Sequence, residues 1–258
     1  MEKFHFKKKY GQNFLQNEEI ANAIVDSINP SSKDLIIEIG PGAGAITQKL
    51  KKYKAKLVAF EIDETVKNYL IPLEDENTKI IYKDFMNVNL KEELSNIDYE
   101  NLYVVGNLPY YITTPIIEHI IESKIDLESL TIMVQKEVAE RFMALPRTRE
   151  YGYMTVLLKF HFDIKKIIDV PRKYFYPIPK VDSSVVKLSK KEKNNIDYNK
   201  FKMLLKDSFQ FKRKTLRNNL KGYNLDKIEQ VLNNHNYTLD NRAEEIDLDT
   251  YMDLVKYL

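Results

Sequence analysis

Residues 35–44 read Leu-Ile-Ile-Glu-Ile-Gly-Pro-Gly-Ala-Gly, an apolar, β-branched run closed by a cluster of glycines. A short continuous apolar run bounded by turn residues reads as a strand buried on both faces of a parallel sheet. Glycines at positions 40, 42 and 44 then remove side chains where the strand turns into a helix. Backbone can there lie against a ligand at the carboxyl edge of the sheet, the usual binding position in open α/β folds. Taken alone, the string also fits a dinucleotide fingerprint, or a tight strand-to-helix turn with no ligand.

The same pattern repeats downstream. Residues 56–63 (KLVAFEID), 79–84 (KIIYKD), 102–106 (LYVVG) and 130–134 (LTIMV) read as further buried strands. Residues 46–53, 64–70 and 115–123 read as the helices between them. Ahead of the glycine string, Asn17 is placed to cap a helix on which Ile20, Ile24 and Ile28 recur at helical spacing. Two more strands are expected at residues 154–162 and 184–188. The polar run at 189–195 (SKKEKNN) reads as a linker, and the pattern beyond it is helical. The expected architecture is α/β, a Rossmann-like domain over residues 1–188 followed by a small all-α domain over residues 196–258.

Composition narrows the chemistry. With 258 residues and 43% hydrophobic content, the chain can bury one large core and a smaller one. No cysteine is present, so disulfides, thiolate metal sites and thiol nucleophiles are excluded. Four scattered histidines lack metal-ligand spacing, and no metal is expected. The N-terminal residues are basic and aromatic without the apolar stretch of a signal peptide, and no apolar run is long enough to span a membrane. A cytoplasmic protein, acting as a monomer, is the expectation. The net charge of +2 conceals an asymmetry: residues 200–221 hold eight basic residues and one acid, and residues 222–258 hold three basic residues and eight acids.

Two acids follow the glycines at strand ends. Glu61 is placed to accept both hydroxyls of a ribose, and Asp84 to accept from an adenine amine, although acids at such positions also serve as plain helix caps. These features fit NAD and S-adenosylmethionine alike, since both carry an adenosine. The most informative string is Asn107-Leu108-Pro109-Tyr110, directly after the fourth strand. An exocyclic adenine amine is a poor nucleophile because its lone pair is delocalised into the ring. The Asn107 side-chain carbonyl and the Leu108 backbone carbonyl can take its two hydrogens and favour a pyramidal nitrogen aimed at a sulfonium methyl. Pro109 fixes the turn, and Tyr110 can stack on a base taken out of its helix. The bland alternative is a buried strand end closed by an Asn-Pro turn. Phe175, in the proline-set string Phe-Tyr-Pro-Ile-Pro-Lys-Val at 175–181, is expected to sandwich that base from the other side.

Together these strings resemble the ribosomal RNA adenine dimethyltransferase family, in particular members that dimethylate two adjacent adenines near the 3′ end of small-subunit ribosomal RNA. The similarity also takes in Lys-Tyr-Gly-Gln-Asn-Phe-Leu at 9–15 and Lys-Arg-Lys-Thr-Leu-Arg-Asn-Asn-Leu at 212–220. The resemblance implies S-adenosylmethionine as cofactor, held by Gln12, Asn13, Leu15, Gly40, Gly42, Glu61, Asp84 and Asn107. It implies that Asn107, Leu108, Tyr110 and Phe175 hold and activate the adenine. The implied partner is ribosomal RNA in a small-subunit precursor. Large-subunit adenine methylation and ribosome assembly on the same fold are the alternatives. One position departs from the family pattern: Tyr111 stands where a small polar residue is frequent.

The basic run adds a docking surface. Phe201, Leu204, Leu205 and Phe209 keep an apolar helical face, and Lys212, Arg213, Lys214 and Arg217 are expected to meet RNA phosphates because few acids lie nearby in sequence.

Overall fold

The computed structural model describes residues 13–192 and 194–257. Along the chain, β1 (Phe14–Leu15) and α1 (Glu18–Ile28) are followed by an alternation of strand and helix. Its members are β2 (Leu35–Ile39), α2 (Thr47–Leu50), β3 (Lys56–Glu61), α3 (Lys67–Leu70), β4 (Thr78–Tyr82), α4 (Leu90–Leu94), β5 (Leu102–Asn107), α5 (Thr113–Glu122), β6 (Ser129–Gln135) and α6 (Lys136–Met143). Next come α7 (Tyr153–His161), β7 (Phe162–Val170), β8 (Phe175–Tyr176) and β9 (Ser183–Lys190). Four helices complete the order: α8 (Tyr198–Ser208), α9 (Leu216–Asn219), α10 (Leu225–Asn234) and α11 (Leu248–Lys256).

Seven strands form one sheet in the order β4-β3-β2-β5-β6-β9-β7. Strands β4, β3, β2, β5 and β6 run parallel, and β9 returns antiparallel to β6. This is the Rossmann-like α/β sheet that the sequence pattern implies. All five residues of β2 are buried, as expected of a central strand covered on both faces. The order of connection reverses between β2 and β5, so a crevice opens outside their carboxyl ends. Register places Ile39 beside both Phe60 and Gly106, which aligns the ends of three strands at one level.

The layer over one sheet face follows from α1. Asn17 caps it by accepting from the Ile20 N–H at 2.9 Å, and the chain leaves it through Asn29 in a left-handed conformation. Its buried Ile20, Ile24 and Ile28 join Leu50 of α2 and Ile36, Leu57, Val105 and Met133 of the sheet in one cluster. Full burial of each such side chain contributes about 1.5–3 kcal/mol.

Two expectations are corrected. The stretch 154–162 is not a strand: α7 occupies it up to His161, with Met154, Thr155, Val156, Leu157, Leu158 and Phe160 all buried, and only Phe162 is extended, as the first residue of β7. A helix apolar on every side has no amphipathic period, so its sequence cannot be told from that of a buried strand. Conversely, β7 lies on DIKKIID, whose lysines and aspartates mask it; an edge strand tolerates them. The linker is also shorter, because Ser189 and Lys190 belong to β9.

The described residues divide into two compact units, one reaching to Ala139 and including Lys165–Lys190, the other comprising Glu140–Ile164 and the chain from Lys191 onward. This differs from the expected division at residues 188 and 196, since α7 belongs to the helical unit. Within that unit Phe160 stacks on Phe201 with ring centroids 4.0 Å apart, and Tyr251 and Leu254 of α11 are buried. No helix among the described residues is long and apolar enough to cross a membrane.

Candidate active site

The crevice at the carboxyl ends of β2, β3, β4 and β5 forms a pocket whose wall includes Asn13, Phe14, Leu15, Gly40, Gly42, Glu61, Asp84, Asn107, Leu108, Tyr110 and Tyr111. Sequence strings from five separate segments thus meet at one place. Two glycines on this wall adopt left-handed backbone. Gly40 has φ +70°, and a Cβ there would stand 3.7 Å from the Asn107 carbonyl oxygen. Gly42 has φ +57°, and a Cβ there would come within 2.8 Å of the Phe14 ring.

Glu61 ends β3 and is buried. Its Oε2 accepts from the Gly42 N–H at 3.0 Å and its Oε1 from the Asp63 N–H at 2.8 Å. Burial pushes its carboxyl pKa up, and the two backbone donors pull against that shift. A carboxylate has about four acceptor positions, so lone pairs remain for a diol. Asp84 caps the 3-10 turn after β4 by accepting from the Met86 N–H at 3.0 Å, so the capping role and a place in the pocket wall coexist. The turn is pinned beneath by Phe85, whose ring meets Phe60 edge-on at 5.5 Å and His119 at 5.6 Å.

Glu38 escaped the sequence reading. It lies on β2 with its Oε2 accepting from the Thr47 hydroxyl at 2.7 Å, while Oε1 has no hydrogen-bond partner among the described residues. Burial, opposed by Thr47 and reinforced by the charge of Glu61, pushes its pKa up to about 7. The available signal was the lone acid inside the apolar run Leu-Ile-Ile-Glu-Ile.

Asn107 closes β5. Its Nδ2 donates to the Asn13 backbone carbonyl at 2.9 Å, across 94 positions of chain, and its Oδ1 has no protein partner among the described residues. The amide is therefore held with its acceptor end available. The Leu108 N–H donates to the Met133 carbonyl at 3.3 Å, and the Pro109 carbonyl accepts from the Ile112 N–H at 3.1 Å and the Thr113 hydroxyl at 3.2 Å. Those bonds make the strand end a fixed turn. The Tyr110 hydroxyl lies 2.7 Å from that of Ser183, which ties its ring to the start of β9. Burial pushes its phenol pKa up.

The family model for "Ribosomal RNA adenine dimethylase" matches residues 3–258. The chain belongs to this family. The dimethylase is 41% identical over 256 residues to "Ribosomal RNA small subunit methyltransferase A" of Aster yellows witches'-broom phytoplasma, covering 96% of this chain and 94% of that one. The protein of the same name from Fusobacterium nucleatum is 38% identical over 262 residues, covering 98% and 97%. Among solved structures, a dimethyladenosine transferase from Plasmodium falciparum superposes with a TM-score of 0.76 at 25% identity, covering 95% of this chain and 96% of that chain. The 23S rRNA methyltransferase ErmE shares the fold with a TM-score of 0.72 at 22% identity, covering 95% and 99%.

Not every expected residue of the dimethylase reaches the pocket. Gln12 lies outside the described residues. Phe175 is not among the residues of the pocket wall: it is 1% exposed, pairs with Leu15 between β8 and β1, and belongs to the core cluster that contains α1. An apolar ring on a short strand covering the core gains more by burial than by facing solvent. Tyr111 also lines the pocket, with 65% of its surface exposed.

In the helical unit, Lys212, Arg213 and Lys214 are exposed on the loop between α8 and α9, without an ion pair among the described residues. Arg217 differs. It pairs with Glu229 at 3.5 Å and Asp240 at 3.4 Å, acids remote in sequence that folding brings to it.

Proposed function

We propose that this dimethylase uses S-adenosylmethionine to dimethylate the exocyclic amines of two adjacent adenines near the 3′ end of small-subunit ribosomal RNA, acting in the cytoplasm on a small-subunit precursor. The observation that supports the chemistry is the Asn107 amide on the pocket wall, anchored to the Asn13 carbonyl through its Nδ2, which leaves its oxygen to serve as an acceptor. The relatives named small-subunit methyltransferase support the choice of RNA.

The pocket fits the cofactor. Gly40 and Gly42 line the pocket with backbone in left-handed conformations, Glu61 keeps acceptor positions for a ribose, and Ile62 and Met86 supply apolar walls for an adenine. When bound, S-adenosylmethionine supplies an electrophilic methyl on a sulfonium. Asn107 Oδ1 and the Leu108 carbonyl accept the two amine hydrogens and hold the nitrogen lone pair out of the ring plane. Tyr110, fixed through Ser183, offers its ring to the base. Asn107 is neutral and cannot take the proton, which leaves to water after transfer. Residues Lys212, Arg213 and Lys214 hold RNA through phosphates, and the pocket selects adenine.

The test is mass mapping of ribosomal RNA after incubation with the protein and labelled cofactor, together with single-turnover transfer by Asn107→Ala. Two neighbouring dimethyladenines in small-subunit RNA are expected. Removing one positioned acceptor should lower the rate by about 100-fold or more with the cofactor saturating. Label confined to large-subunit RNA would overturn the target, and a wild-type rate for Asn107→Ala would overturn the mechanism.

A further inference from the structure

An exposed apolar side chain is ordinary by itself. Phe211 is set apart by where the chain puts it. Between α8 and α9, residues 210–214 (Gln-Phe-Lys-Arg-Lys) are all exposed, and both flanks of the segment are fixed to the helical unit. Before it, Phe209 packs against the core, its ring centroid 6.1 Å from that of the buried Tyr251. After it, Thr215 bridges Arg242, and the Leu216 N–H donates to the Asn241 carbonyl at 2.8 Å.

The segment is itself a tight turn. The Lys214 N–H donates to the Phe211 carbonyl at 2.9 Å, so the ring and the three cations that follow it share one four-residue turn. Asn219 of α9 braces that turn, its Nδ2 donating to the Ser208 carbonyl at 2.6 Å and to the Phe211 carbonyl at 3.4 Å. The backbone oxygen of Phe211 is thus engaged twice, whereas its side chain is 55% exposed. Its ring has no aromatic or cation–π partner among the described residues, and Lys212, Arg213 and Lys214 have no ion pair among them. No acid occurs between positions 208 and 219. An exposed ring and free cations on one braced turn form the combination that holds single-stranded nucleic acid, the ring stacking a base and the cations meeting phosphates.

We propose that Phe211 is an RNA-binding residue that stacks on an unpaired base of the RNA docked on Lys212, Arg213 and Lys214. The inference rests on the reading of that turn as a contact for ribosomal RNA, and it adds what phosphate contacts lack. Cations meet the phosphates of any RNA alike. An internal base of a duplex offers no free face to a ring, whereas a base in a loop or bulge does. Phe211 therefore makes the turn selective for places where a paired stem gives way to unpaired nucleotides.

The chain contains no tryptophan, so Phe211→Trp gives the protein a single indole, whose emission is quenched when a base stacks on it. The probes are folded small-subunit ribosomal RNA and a long, fully paired RNA duplex. Bound small-subunit RNA should quench the indole, and bound duplex should leave it bright. Phe211→Ala should weaken binding of small-subunit RNA by about ten-fold. Its binding of the duplex and its slope of log affinity against log salt should match wild type, because a neutral ring releases no counterions. The position is exposed, so both variants should melt with wild type; the indole reports on stacking even if the alanine variant fails to fold. Wild-type affinity in Phe211→Ala, an equal loss on the duplex, or an indole unmoved by bound small-subunit RNA would overturn the role of Phe211 alone. Undiminished RNA binding after reversal of Lys212, Arg213 and Lys214 to glutamate would overturn the docking reading and this inference with it.

Discussion

Glu38 brings a carboxyl group into a fully buried strand of the sheet, with one oxygen on the Thr47 hydroxyl and the other without a partner among the described residues. Its folded pKa of about 7 lies above the ordinary 4.5. The native state therefore binds this proton more tightly than the unfolded chain does. The stability it confers is complete below the unfolded pKa and is lost as pH rises through the folded one. Glu38→Gln keeps an acceptor for Thr47 and removes the titration. Its melting temperature relative to wild type is expected to climb from about pH 5 to about pH 8. Parallel melting curves across that range would mean that Glu38 ionises freely. At this scale the sequence was uneven: Glu61 and Asp84 stand at strand ends, where an acid announces itself, whereas Glu38 lies within an apolar run and only packing shows its state.

The turn between β2 and α2 works as a unit. Its glycine at position 42 adopts a left-handed φ, its N–H supports Glu61, and its bare Cα faces the Phe14 ring. Gly42→Ala should cost about 1–2 kcal/mol in backbone strain, and relief of the clash with Phe14 would pull the Gly42 N–H away from Glu61. A fall in S-adenosylmethionine affinity of about ten-fold is expected, equivalent to 1.4 kcal/mol, measured by calorimetry on protein shown to be folded. Unchanged affinity would mean that the turn adapts and the glycine serves chain geometry alone. The glycine string, the strand before it and the Asn-Leu-Pro-Tyr string were legible because turn chemistry is local. Helix α7 was not, since burial on all sides erases the period that distinguishes a helix.

Across the whole molecule, charge is distributed unevenly, and folding alters what the sequence shows. The basic run of residues 200–221 looks uncompensated, yet Arg217 is met by Glu229 and Asp240 while Lys212, Arg213 and Lys214 stay exposed without such partners. The docking surface should therefore centre on those three. Reversing all three to glutamate should weaken RNA binding and reduce the slope of log affinity against log salt by about two to three, whereas Arg217→Ala should change the slope less. Filter binding from low to moderate salt measures both. An unaltered slope in the triple variant would show that RNA docks elsewhere.

What the sequence determined by itself was everything encoded between near neighbours: strands that end in glycine, acid or Asn-Pro, the cap at Asn17, and the order of motifs that marks the family. Those signals depend on turn geometry and side-chain chemistry within a few residues. Tertiary structure alone decided which groups meet across long stretches of chain. It turned the Asn107 amide by setting it on Asn13, withdrew Phe175 into the core beside Leu15, left Tyr111 in the open, and neutralised Arg217. Each of these outcomes rests on competition for burial and for hydrogen-bond partners, which is settled only when the distant partner has arrived.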